Sequence, residues 1–259
     1  LRPSEQRMNG SPSGDEDISP DRFRATGAGG GSGGPRLSLE WKKDEVRTWG
    51  GNVVSSSRGL DQSAARLTVA LGMAFGGDVS RVGIVRPPLR QTVRGVQLLA
   101  PDADIRSLSP RNASPGGSGF DVILCGPGAL TGRLNPLQAV GLERLERLRT
   151  CLAPDGVAAI WLGTRGVSPD ELCRVLVTIR EAFGGFRLFA SGDELVAVAG
   201  ASNAVSWSAL EELYEDEKAE DYLVDGDLWT PRQLLLSYVA RADEMSGILD
   251  GASPLSLSG

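Results

Sequence analysis

Phe120-Asp121-Val122-Ile123-Leu124 and, after a glycine/proline turn and a helical run, Leu152-Ala153-Pro154-Asp155-Gly156-Val157-Ala158-Ala159-Ile160-Trp161-Leu162 decide the fold of this chain. Apolar strand, crossover helix, apolar strand is the unit of a parallel sheet, whose strands are covered on both faces and so read as near-continuous apolar runs. Open α/β sheets bind ligands beyond the carboxyl ends of their strands. At that place stands Cys125-Gly126-Pro127-Gly128-Ala129, which holds one thiol and no acid, base or other nucleophile. The turn has the frame of an enzyme without its chemistry.

Upstream, Arg81-Val82-Gly83-Ile84-Val85 reads as another parallel strand, followed by Arg86-Pro87-Pro88, a helix over 89–99, a weaker strand over 103–108 and a turn-rich loop over 112–119. Before them, Asp61 is positioned to cap a helix over 62–75 that carries Ala65, Val69 and Met73 on one side and stops at Gly76-Gly77. Leu37, Leu39 and Trp41 alternate with polar residues, and with 46–49 and Val53-Val54 they predict a small antiparallel β region. Downstream, a helix over 137–152 presents Leu142, Leu145, Leu148 and Leu152 at core spacing, and 157–162 is a strand. Ser168 caps and Pro169 opens a helix that Gly184-Gly185 ends after Phe183. Residues 186–190 and 195–199 form a hairpin about Gly192-Asp193. An acidic helix is predicted over 206–222 and a last helix over 230–249.

The expected architecture is therefore α/β: a Rossmann-like, mostly parallel sheet with an antiparallel C-terminal hairpin strand, preceded by a small N-terminal β region. Residues 1–36 read as a disordered Gly/Ser/Pro-rich tail or linker, 37–58 as the β region, and 59–259 as the Rossmann-like domain with C-terminal helices. The tail holds too little apolar surface to offset the entropy of ordering it. Its run from Gly27 to Gly34 lacks both the Gly-Lys-Ser/Thr ending and the preceding strand of a phosphate loop.

Composition narrows the function classes. Hydrophobic residues make up 41% of the 259, enough for a substantial core. A net charge of −6 argues against nucleic acid as a partner. The absence of histidine removes histidine triads, most zinc sites and the commonest general base, and no metal is expected. The three cysteines form no CxxC pair, which fits free thiols in a reducing compartment, so a cytoplasmic location is expected. No apolar run reaches the roughly 18 residues of a membrane span, and 1–35 has no signal-peptide core. The chain opens on Leu1, so a fragment is expected, with the tail as a tether to a missing N-terminal, membrane-borne part.

The pattern resembles class I S-adenosylmethionine-dependent transferases and, more narrowly, the spermidine synthase (polyamine aminopropyltransferase) branch. The likeness rests on Asp121-Val122-Ile123-Leu124, Gly128-Ala129-Leu130-Thr131, Leu152-Ala153-Pro154-Asp155-Gly156-Val157, Asp193-Glu194-Leu195-Val196 and the tail Ala252-Ser253-Pro254-Leu255. It implies a class I methyltransferase sheet. It also implies S-adenosylmethionine or decarboxylated S-adenosylmethionine as cofactor, if the domain is active. By position it points to Val85, Arg86, Ser109, Cys125, Gly126 and Gly128 as cofactor-binding residues, with no catalytic residue identified.

The departures from that family are chemical. Where the family has a glycine-rich turn, this chain has Arg86-Pro87-Pro88, and proline supplies neither positive φ nor a backbone donor. Where the family has a ribose-binding acid, this chain has Ile105-Arg106-Ser107-Leu108-Ser109, with Asp104 at the wrong end of the strand. Gly128 stands in place of the catalytic aspartate, and Ser256-Leu257-Ser258-Gly259 in place of an Asn-Thr-Asp-Asp-like segment. Cys125 reads as a buried structural thiol and Asp121 as an architectural carboxylate.

Arg81, Arg86, Arg90, Arg94, Arg106 and Arg111 gather around the first two strands, while Glu211, Glu212, Glu215, Asp216, Glu217, Glu220 and Asp221 crowd one helix. These are solvated faces, or an electrostatic contact within the chain or across a homodimer; the acidic face also suits a polyamine. The sequence thus describes a degenerate spermidine-synthase-like domain with a structural, regulatory or ligand-sensing role and a polyamine or nucleoside as ligand. The rival is an active aminopropyltransferase or methyltransferase of the same superfamily.

Overall fold

A computed structural model describes residues 60–85, 90–108, 119–126, 141–164, 167–192, 194–200, 205 and 207–256, and the backbone of three strands before them. The tail expected over 1–36 lies outside the described residues. Contacts divide the chain into two units, 1–55 and 56–259.

In the first unit, β1 (Ser38–Lys42), β2 (Glu45–Gly50) and β3 (Val53–Ser56) form a sheet in that order. β1 and β2 are antiparallel, from Ser38 opposite Trp49 to Lys42 opposite Glu45. The alternation of Leu39 and Trp41 with polar residues falls within β1, as expected of a period of two.

In the second unit, α1 (Leu60–Gly76) leads into β4 (Arg81–Val85), α2 (Arg90–Leu99), β5 (Asp104–Leu108) and β6 (Phe120–Cys125). Then come α3 (Leu142–Thr150), β7 (Leu152–Leu162), α4 (Pro169–Phe183) and the hairpin of β8 (Arg187–Ser191) and β9 (Glu194–Gly200). The chain ends with α5 (Trp207–Glu212), α6 (Glu217–Val224), α7 (Pro231–Leu236), β10 (Tyr238–Arg241) and α8 (Ser246–Leu249). Seven strands form one sheet in the order β10-β8-β9-β7-β6-β4-β5. The pairs β5/β4, β4/β6 and β6/β7 are parallel; β7/β9, β9/β8 and β8/β10 are antiparallel. This is the mostly parallel sheet with an antiparallel C-terminal part that the sequence implies.

Strand alternation sorts the core into two layers. Val82, Ile84, Val122, Leu124, Val157, Ala159, Val196 and Val198 face α1, α2 and α6. Val85, Ile123, Cys125, Ala158, Ile160, Leu162, Ala197 and Ala199 face α3 and α4. α3 contributes Leu145 and Leu148, both fully buried and each stabilising the fold by about 1.5–3 kcal/mol through burial. α4 follows its sequence signals closely. The Ser168 hydroxyl accepts from Glu171 N at 3.2 Å, Glu171 reaches back to Ser168 N at 3.0 Å, and Gly184 leaves the helix with φ of 82°.

Other element bounds differ from the sequence reading. α1 starts at Leu60, which puts Asp61 inside its first turn instead of at its cap. α3 ends at Thr150, because Leu152 pairs with Phe120 and Cys151 accepts from Phe120 N at 2.8 Å; β7 consequently starts five residues before Val157. The acidic helix is split into α5 and α6, since Asp216 accepts from Lys218 N and Ala219 N and starts a new helix. The last helix stops at Leu236, because Tyr238–Arg241 joins the sheet edge beside β8.

Candidate ligand site at the carboxyl edge of the sheet

The chain runs from β4 outward to β5 and then returns to β6 on the other side of β4. Strand order therefore reverses between β4 and β6, and the crevice beyond their carboxyl ends is the switch point where such sheets bind ligands. Register sets the two strand ends side by side: Ile84 pairs with Leu124, so Val85 and Cys125 follow next to each other. Both side chains are fully buried in the layer beneath α3 and α4. Gly126, half-buried, is the first residue past the end of β6. Arg86, Ser109 and Gly128 lie outside the described residues.

Burial alone pushes the Cys125 thiol up to about 12, so it stays protonated at neutral pH and is no nucleophile. Asp121 sits at the opposite end of β6. Its Oδ2 accepts from Ser80 N and Ser80 Oγ at 2.9 Å and from Arg81 N at 2.8 Å. Burial raises this carboxyl, but the hydrogen bonds from Ser80 and Arg81, with the Arg81 charge, outweigh it and hold the group below its usual range. Asp121 thus ties the entry of β4 to β6. Asp104 opens β5 at that same end and pairs with exposed Arg106 at 2.7 Å.

Helix α1 lies along the sheet with its first turns at the carboxyl edge. Ala64 and Ala65 pack on Trp161 near the end of β7, whereas Gly76 abuts Val122 and the Asp121 carbonyl. α2 begins at that edge too, directly after β4. Among the described residues, two buried charges occur, Arg66 and Glu194, each 3% exposed. Neither was singled out as a site residue by sequence. Glu194 opens β9, whose next residue Leu195 pairs with Leu162 at the end of β7. Its Oε2 accepts from the Trp161 indole at 3.1 Å and from Thr164 N at 3.3 Å, which fixes the exit from β7. Held this way, it is a structural acceptor.

Arg66 lies under Tyr222, with its guanidinium 5.0 Å from the ring centroid. Nη2 reaches Asp225 at 3.5 Å; Nε and Nη1 are buried without a partner. The Tyr222 hydroxyl donates to the Gln91 carbonyl at 3.0 Å in the first turn of α2, and Gln91 Oε1 is buried without a donor. A faint sequence signal existed for Arg66: it precedes buried Val69 and Met73 by three and seven residues on α1.

The C-terminal segment packs across α3 and α4. Leu142 N, at the start of α3, donates to the Leu255 carbonyl at 2.8 Å, and Leu255 N donates to Thr178 Oγ1 at 2.8 Å. Residues 252–256 thus strap α3 to α4. The open hollows of about 440 and 390 Å³ meet at Gly184-Gly185, by the amino ends of β7 and β8 and away from the switch point.

No protein-family model matches the chain, and no curated protein matches its sequence. Solved structures do match. A probable spermidine synthase from Corynebacterium glutamicum superposes with a TM-score of 0.51 at 14% identity, over 87% of this chain and 94% of that one. Spermidine synthase from Thermotoga maritima gives 0.51 at 14% identity, over 85% and 86%. A spermidine synthase in complex with the transition-state analogue AdoDATO gives 0.50 at 13% identity, over 85% and 86%. The fold of this chain is therefore the Rossmann-like fold that these spermidine synthase structures have.

Proposed function

We propose that this domain keeps the adenosyl-ligand frame of the spermidine synthase fold, does not transfer aminopropyl groups, and serves as a ligand-sensing or regulatory module. One observation carries the reading. The connections that leave the carboxyl ends of β4, β5, β6 and β7, at 86–89, 109–119, 126–141 and 163–168, contain no Asp, Glu or His. An amine attacks only after giving up a proton, and the transfer needs an acceptor within reach. Cys125 cannot serve while it is buried and protonated, and Glu194 already receives the indole and backbone donors. The diproline after Arg86 adds to this, since it removes backbone donors from the turn that would approach a nucleoside.

The test is a steady-state assay of the purified chain with putrescine and decarboxylated S-adenosylmethionine. No spermidine above the protein-free blank is expected. Product that grows in proportion to protein would overturn the proposal.

A further inference from the structure

Exposed apolar surface gathers at one place away from the candidate site. Seven large hydrophobic residues are exposed among the described residues, and four of them, Leu235, Leu236, Tyr238 and Val239, fall within five positions at the end of α7 and the start of β10. Single exposed apolar residues are ordinary, whereas a contiguous run marks a contact surface. Leu236 is 72% exposed. The run is anchored: Leu234 beside it is buried, and the Tyr238 ring packs edge-on against Phe189 with centroids 5.8 Å apart. The other edge of the sheet is built differently. The exposed positions of β5 are Asp104, Arg106 and Ser107, and charge of that kind keeps an edge unpaired.

We infer that two copies of the chain associate through this face, with α7 and β10 of one antiparallel to α7 and β10 of the other about a two-fold axis. Charge argues for a second copy in that arrangement. Arg232 lies three and four residues before Leu235 and Leu236, hence on the same face of α7, and has no acidic partner among the described residues. The turn after β10 holds Asp243 and Glu244 against the single charge of Arg241, which binds them at 2.9 and 3.4 Å. Glu244 also accepts from the Tyr238 hydroxyl at 2.7 Å, which puts this net negative turn beside the patch. The patch thus carries a cation at one end and excess negative charge at the other. A two-fold axis brings Arg232 of each copy to the Asp243-Glu244 turn of the other while the apolar side chains meet between them; a parallel arrangement would set like charges together. Glu244 takes the Arg241 N–H as well, at 2.8 Å, which leaves little outer edge for a β ladder, so the contact is made by side chains. Four apolar side chains are few against the roughly 20–30 residues a side of a stable interface, so a micromolar dimer is expected.

Sedimentation-velocity ultracentrifugation of the full chain, from the low to the high micromolar range, tests this. A reversible equilibrium between monomer and dimer is expected. Leu236→Asp, which sets two like charges within the apolar contact, should raise the dissociation constant by about tenfold or more. Arg232→Glu and Asp243→Lys should each weaken the dimer by about threefold or more, and the combined variant should regain most of the wild-type affinity, because the swap restores opposite charges. Circular dichroism melts check that each variant folds; if Leu236→Asp does not, the charge variants decide alone. A chain that stays monomeric at every concentration, species larger than a dimer, an association that Leu236→Asp leaves unchanged, or a combined variant as weak as either single one would overturn the inference.

Discussion

Cys125, Asp121 and Glu194 show how burial assigns roles that residue type leaves open. Of the three free thiols, Cys125 and Cys151 are buried and raised, whereas Cys173 on α4 is half-exposed. Native protein treated with iodoacetamide should therefore be alkylated at Cys173 first, with Cys125 reacting only after denaturation; mass spectrometry of the labelled peptides checks this. Early labelling of Cys125 would show that its environment is open. Asp121 makes a different prediction. Its folded carboxyl titrates below the unfolded value of about 3.9, so its stabilisation is complete above that pH and is lost as pH falls through the folded value. Asp121→Asn should cost about 1–3 kcal/mol at neutral pH, and the difference from wild type should shrink in acid. Denaturant melts at several pH values measure both. The structural reading of Asp121 was available from sequence, because an acid inside an apolar strand needs donors, although the identity of Ser80 and Arg81 as those donors was not.

At the scale of elements, legibility followed the locality of the signals. α4 was readable almost to the residue because Ser168, Pro169, Glu171 and Gly184 each act on their own few neighbours. β10 was not readable, because Tyr238–Arg241 becomes a strand only by pairing with β8, whose sequence lies far upstream. The break between α5 and α6 was legible in principle, since Asp216 is a good N-cap, but the surrounding acids hid it within a continuous charged run. Contacts between helices were likewise hidden. Gly95 on α2 faces the Tyr222 hydroxyl so closely that an added Cβ would fall on it. Gly95→Ala should push α2 from α6 and cost about 1–3 kcal/mol, read as a lower denaturation midpoint. An unchanged midpoint would mean that the two helices separate freely.

At the scale of the whole molecule, the sheet order and the switch point follow from the alternation of strands and helices, and three spermidine synthase structures share the fold across most of their length. Of the candidate site, the diproline after Arg86 and the connection over 126–141 without Asp, Glu or His are visible as letters. Its buried charges were not, because Arg66 and Glu194 look like ordinary surface residues until helices and strands from distant parts of the chain close over them. On the proposed function, fold and chemistry part company at the carboxyl edge: the sheet keeps its order, and the four connections that leave it contain no Asp, Glu or His.

A single-turnover reaction with the chain in molar excess over decarboxylated S-adenosylmethionine, with isotope-labelled putrescine and mass-spectrometric detection, tests that separation most directly, because product release cannot mask one round of transfer. The expected result is labelled spermidine no higher than without protein, whereas a stoichiometric burst of labelled spermidine would contradict the account.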